Sequence, residues 1–120
     1  MDFDCLVSMV RNNRVAELEA YFDSPECALS VNTIDPRTGN SLLLVACQNG
    51  NKRVTKLLLR RGAALNHRNH RGNSCLHFAY CFGFTELGEY LLSKGADDSL
   101  RNSEGLTCYE GVSRSSLEAL

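Results

Sequence analysis

Gly39, Gly72 and Gly105 recur at an interval of 33 residues, and that period restricts the fold more than any other feature of the chain. Gly50 returns as Gly83, Gly62 as Gly95, Ala63 as Ala96 and Ala46 as Ala79. Ser41, Ser74 and Thr107 hold one position in three successive copies. A fixed period of this size marks stacked units, none of which can bury its apolar face alone. Such a stack presents an extended surface and is suited to binding rather than to enclosing a reaction.

A chain of 120 residues makes one domain with a modest core. The formal charge is only −1, but it is unevenly spread. Residues 1–35 carry −5, residues 36–85 carry +8 with no acid at all, and residues 86–120 carry −4. The basic middle can face an acidic partner or form a solvated face between acidic neighbours. Asp2 and Asp4 stand where a secretory signal needs bases, and the longest apolar run, Leu42 to Cys47, is far too short to cross a bilayer. Six cysteines lack a paired CxxC and partly follow the repeat, since Cys75 and Cys108 are one period apart. Buried reduced thiols in an intracellular, cytoplasmic protein fit that pattern, with the nucleus left open.

One copy can be read as a physical unit. "NHRG" is a polar turn ending in glycine, Ser74 can cap a helix through its hydroxyl, and "CLHFAYCF" is a short apolar helix. Gly83 ends it. "FTELGEYLLSK" is a second helix with Leu87, Leu91 and Leu92 on one side, Glu86 in its first turn and Lys94 in its last. Gly95 closes it. The preceding copy repeats the plan with "DPRTG", one residue longer, then "SLLLVACQN", Gly50, "NKRVTKLLLRR" and Gly62.

The segments "GNSCLHFAYCFG" with "YLLSKGADDS", and "GNSLLLVACQNG" with "LLLRRGAALN", resemble the ankyrin-repeat family. That family carries a turn with Asp and Gly, a "TPLHxAA" helix, a glycine, a leucine-rich second helix and "GAxxN". The match keeps register over residues 35–101. Proline is missing at Leu42 and Cys75, Leu44 replaces the histidine once, and Ser99 stands where Asn66 stands one copy earlier. The resemblance implies an all-α solenoid of about 3.5 helix–turn–helix units joined by β-turn fingers.

The units are expected as a divergent capping repeat (1–34), two regular repeats (35–68 and 69–101) and a partial C-terminal repeat (102–120). In the first, Phe3, Leu6, Val7 and Val10 share one helical face, Asn12 and Asn13 form the break, and "RVAELEAYF" is the second helix. In the last, "SRSSLEAL" offers only Leu117 and Leu120 for a second helix. That end is expected to continue in a longer chain or to self-associate.

Catalytic and metal signals are thin. GxSxG, HExxH and phosphate-cradling glycine loops are all absent. His67, His70, His77 and Cys75 lack metal-ligand spacing, and no cofactor is expected. His77 and Cys75, two apart on one helix, point away from each other. The resemblance assigns His77 and Asn66 to turn and helix bracing, along with Gly39, Gly50, Gly62, Gly72, Gly83, Gly95 and Gly105.

The resemblance also implies a binding surface on the concave face and turn tips. It comprises Arg37, Thr38, Asn40, Gln48 and Asn49, then His70, Arg71, Asn73, Cys81 and Phe82, then Ser103, Glu104 and Leu106. Phe82 can be an exposed anchor or can pack on Phe78, and Arg37 and Arg71 occupy matching turns. Lys52, Arg53, Lys56, Arg60 and Arg61 make a basic ridge on an outer helix without interleaved aromatics, read as a solubilising face. The function expected is non-enzymatic recognition of another protein or peptide, with no small-molecule substrate and with nucleic acid and membrane disfavoured. Two other readings stay open: a regulatory or targeting segment of a larger signalling protein or enzyme, and a structural spacer.

Overall fold

The computed structural model describes residues 2–110. They form six short helices: α1 (Phe3–Arg11), α2 (Val15–Asp23), α3 (Leu42–Gln48), α4 (Lys52–Arg60), α5 (Cys75–Cys81) and α6 (Thr85–Ser93). The helices alternate between two layers. α1, α3 and α5 pack side by side as the inner layer, and α2, α4 and α6 each pack on the inner helix before them. α2 also touches α4, but no comparable contact joins α4 to α6. One isolated antiparallel bridge, Ile34 to Ser41, is the only β-pairing among the described residues. The all-helical stack expected from the glycine period is the observed fold.

Local chemistry explains where each helix starts. The Ser41 hydroxyl accepts from the Leu44 amide at 3.3 Å, and the Asp2 carboxylate accepts from the Cys5 amide at 2.9 Å. The outer helices have no side-chain cap. They take their direction from the break before them, where one bond recurs three times. Arg14 N–H donates to the Met9 carbonyl (2.9 Å), Asn51 N–H to Ala46 (3.1 Å) and Phe84 N–H to Ala79 (2.8 Å). The residue before each donor has positive φ: Asn13 at 56°, Gly50 at 67° and Gly83 at 80°. Asn13 takes a glycine's role because its short polar side chain tolerates that left-handed conformation.

α3 lies between α1 and α5 and is buried from Leu42 through Cys47, so its sequence is apolar without a polar stripe. Leu6, Leu18, Leu57, Leu58, Leu76, Phe78 and Leu91 complete the centre of the core. Full burial of a side chain of this kind stabilises by about 1.5–3 kcal/mol. The acids of α2 join the stack: Glu19 pairs with Arg60 at 3.3 Å and Asp23 with Arg61 at 2.5 Å. The expected unfinished helix and the self-association at the C-terminal end fall on residues 111–120, outside the described residues.

Candidate functional site: the finger row and inner face

Three turns project beyond the helix pairs as a row of fingers, at 35–40, 69–73 and 102–106. Each is closed by one side chain at its base. The Asp35 carboxylate accepts from the Arg37 amide at 2.8 Å. Asn69 Oδ1 accepts from the amides of Arg71 and Asn73, and Asn102 Oδ1 from those of Glu104 and Leu106, all at 3.0 Å. These are Asx-type turns that replace missing backbone partners. Gly39, Gly72 and Gly105 share a φ of 77°. At Gly72 a Cβ would stand 2.9 Å from the Asn102 Cα, so glycine also admits the next finger.

Each finger is bonded to the one before it. His70 N–H donates to the Thr38 carbonyl and Ser103 N–H to the Arg71 carbonyl, both at 2.9 Å. Asn69 Nδ2 donates to Asn40 Oδ1, and Asn102 Nδ2 to Asn73 Oδ1, again at 2.9 Å. In the first finger the matching positions are Pro36, which has no N–H, and Asp35, which has no amide to donate. His67 Nε2 adds a bond to the Gly39 carbonyl at 2.7 Å, and Asn66 Oδ1 receives the Asp97 amide at 2.8 Å.

His77 braces a helix start and an inter-repeat contact together. Ser74 presents its amide (3.1 Å) and hydroxyl (2.9 Å) to His77 Nδ1, and the His77 amide returns a bond to Ser74 Oγ (3.5 Å). Nδ1 therefore accepts, and Nε2 carries the proton that it donates to the Leu106 carbonyl at 2.9 Å. Burial lowers the His77 pKa, opposed by the Leu106 bond and aided by Arg68. Neither ring nitrogen faces Cys75, whose thiol donates to the Leu65 carbonyl at 3.4 Å. The Cys47 thiol is pushed well up by its hydrogen bond to Cys75 and by burial, and Cys108 to about 11, first by burial. Both therefore stay protonated thiols near neutral pH, the form that is a poor nucleophile.

The inner face divides the expected contact residues into groups. Arg37, Asn49, His70, Arg71, Phe82, Ser103 and Glu104 are exposed, and Thr38, Gln48, Cys81 and Leu106 are half-buried. Asn40 and Asn73 are buried, and this corrects their expected place on the surface. Their side chains turn into the finger ladder because each must accept the amide of the following finger. The two arginines also differ. Arg37 Nε and Nη2 reach Asp35 at 3.3 and 3.2 Å, and these bonds hold the Asp35 carboxyl below its usual range. Arg71 makes no ion pair among the described residues.

Phe82 combines both of its expected roles. Its ring stacks on Phe78 with centroids 6.5 Å apart, and the residue remains 39% exposed. At the same C-cap position Asn49 Nδ2 donates to the Val45 carbonyl (2.8 Å) and Asn12 Nδ2 to that of Ser8 (2.9 Å). Phenylalanine cannot make that bond, so it lies on the ring four residues back instead.

One part of the face lies outside the residues that the repeat pattern points to. A depression of about 370 Å³ is lined by Phe3, Asp4, Val7 and Arg11 of α1, together with Asp35, Arg37, Thr38, Asn40 and Val45. The signal was present in the apolar stripe of residues 3–10, where Phe3 and Val7 stay half-buried while Leu6 and Val10 are fully covered. No group of three or more metal-ligating side chains converges among the described residues, and no described helix is long and apolar enough to cross a membrane.

A family model for ankyrin repeats in three copies matches residues 6–102, and the chain belongs to the ankyrin-repeat family. Among curated proteins it is similar to BRCA1-associated RING domain protein 1 of Caenorhabditis elegans, 35% identical over 106 residues (88% of this chain, 14% of that protein). It is 36% identical over 77 residues to protein phosphatase 1 regulatory subunit 27 of Mus musculus (64% of this chain, 49% of that protein). Human Rabankyrin-5 is 40% identical over 72 residues (60% of this chain, 6% of that protein). The chain thus spans no more than about half the length of these relatives. The ankyrin-repeat domain of Bcl-3 superposes with a TM-score of 0.79 at 27% identity, covering 95% of this chain and 49% of that one.

Proposed function

We propose that this chain is a non-enzymatic recognition module that binds a segment of another protein along its inner face and finger tips. The observation that carries this reading is the bonded finger row. Backbone and asparagine bonds fix the fingers before any partner arrives, so little conformational entropy is lost on binding. Phe82 is the apolar anchor. Its ring is already oriented by Phe78, and half-exposed aromatics on a rigid base make efficient contacts. Arg71, with no acid of its own, supplies the charged contact, and His70, Ser103 and Glu104 line the same tips. Arg37 contributes less, since Asp35 already holds its guanidinium. The repeat boundaries at 34/35, 68/69 and 101/102 place one finger at the start of each later unit.

A second reading is a regulatory or targeting segment within a larger protein. The regulatory-subunit relative, and the small share of the longer relatives that this chain covers, support it. The experiment that tests the surface is affinity capture from cell extract with the purified chain beside an Arg37→Ala/Arg71→Ala/Phe82→Ala variant. The reading expects captured proteins that the variant loses. Equal capture by both would remove the inner face from the proposal.

A further inference from the structure

The outer layer of helices carries a second feature. The ammonium groups of Lys52, Lys56 and Lys94 gather around the ring of Tyr90, at 5.4, 5.3 and 5.5 Å from its centroid. Lys52 and Lys56 come from α4, and Tyr90 and Lys94 from α6 and its C-cap. None of the three lysines makes an ion pair among the described residues. The other end of α4 differs, because Arg60 and Arg61 are paired with the acids of α2. The basic ridge is therefore not a uniform solvated face. Its charge is balanced at one end and concentrated at the other.

Two further observations add to that concentration. Of the six described helices, α4 alone starts with neither a side-chain cap nor an acid in its first turn. Its positive end is thus uncompensated beside Lys52. α4 and α6 touch less closely than α2 and α4 do, and a depression of about 280 Å³ opens between their starts. Gly50, Gly83, Phe84 and Leu87 supply its apolar surface, with Lys52 and Glu86 also lining it. Phe84 reaches over Gly50, where a Cβ would meet the ring at 2.7 Å.

We propose that this groove binds a phosphorylated segment of a partner protein. The phosphate would sit at the three lysines, and an apolar neighbour of the phosphoresidue would fill the depression against Phe84 and Leu87. The phosphate's compact double charge suits a set of three ammonium groups held around one ring, which repel one another until an anion neutralises them. The chemistry of the surroundings disfavours other polyanions. Ammonium groups already occupy the Tyr90 ring, so that ring is not a free stacking platform for a nucleic-acid base. A flat anionic bilayer would also have to approach Glu86 and Glu89, both exposed on α6.

The test follows amide and lysine NMR shifts of the whole chain during titration. The probe is a short peptide with one phosphoserine beside a leucine. Its unphosphorylated form, inorganic phosphate and phosphatidylserine vesicles are titrated separately. Saturable shifts at Lys52, Lys56, Tyr90 and Lys94 are expected with the phosphopeptide only. A Lys52→Gln/Lys56→Gln/Lys94→Gln variant should bind at least about tenfold more weakly. Lys94→Glu alone provides the same comparison should the triple variant melt early. Equal shifts with the serine peptide or with inorganic phosphate, stronger binding to vesicles, or unaltered binding by the charge variants would each overturn the assignment.

Discussion

His77 and Leu106 are joined across a repeat boundary by a 2.9 Å bond from Nε2 to the carbonyl, with Ser74 holding Nδ1 in the accepting state. One imidazole thus links a helix cap to the following finger. Replacing it with leucine, the residue at the same place in the preceding helix (Leu44), removes both functions. His77→Leu is expected to destabilise by about 1–3 kcal/mol, because a part-buried carbonyl loses its donor and the buried helix start loses its cap. Chemical denaturation with the midpoint as readout checks it.

The same residue sets a pH dependence. Burial places the folded pKa of His77 below its ordinary 6.5, so in this range the unfolded chain binds the proton more readily. The contribution is complete above pH 6.5 and is lost as the pH falls through that value toward the folded pKa. The melting temperature should decline on acidification below pH 6.5, and His77→Leu should flatten that decline. Parallel slopes for the two proteins would assign the effect to other groups.

Gly72 and Gly83 provide a matched pair. Both have positive φ, at 77° and 80°, but only Gly72 has backbone within reach of an added Cβ. Gly83→Ala should cost about 1–2 kcal/mol of left-handed strain. Gly72→Ala should cost that and more, since the Asn102 Cα must move from a site 2.9 Å away. Urea midpoints measured side by side should rank them in that order, and equal losses would mean the fingers yield without strain.

Asn69 both closes its own finger and donates to Asn40. Asn69→Asp keeps the acceptor and removes the donor, setting a carboxylate against an amide oxygen. A loss of about 1–3 kcal/mol is expected, whereas Asp35→Asn, which has no earlier finger to reach, should change stability by less than about 0.5 kcal/mol. Thermal melts of the two single variants measure the contrast.

For a captured partner, Phe82→Ala should weaken binding most, by about 2 kcal/mol or more. Arg71→Ala should follow, and Arg37→Ala should have the least effect because its charge is already paired with Asp35. Titration calorimetry of the three single variants gives the ranking. An Arg37 effect larger than that of Arg71 would contradict the asymmetry of the fingers.

The helices were legible in the sequence because their signals are local. Ser41 and Ser74 cap, Gly50 and Gly83 break, and the leucines recur at helical spacing. Contacts that cross repeats were not. Glu19 and Asp23 reach Arg60 and Arg61, and Tyr90 joins Lys52 and Lys56, through stacking that no single copy encodes. The basic ridge lacked aromatics along the chain but gained one in space. Finger position alone does not tell which way the amides of Asn40 and Asn73 turn; the following finger decides it and buries them.

The first finger has a consequence for assembly. Every later finger offers an amide and an N–H backward to its predecessor, but Pro36 and Asp35 offer neither. The ladder can be lengthened in one direction only. A second molecule arriving at the first finger finds neither of the two donors that continue the row. That end behaves as a blunted edge, and the stack is protected there from templated growth.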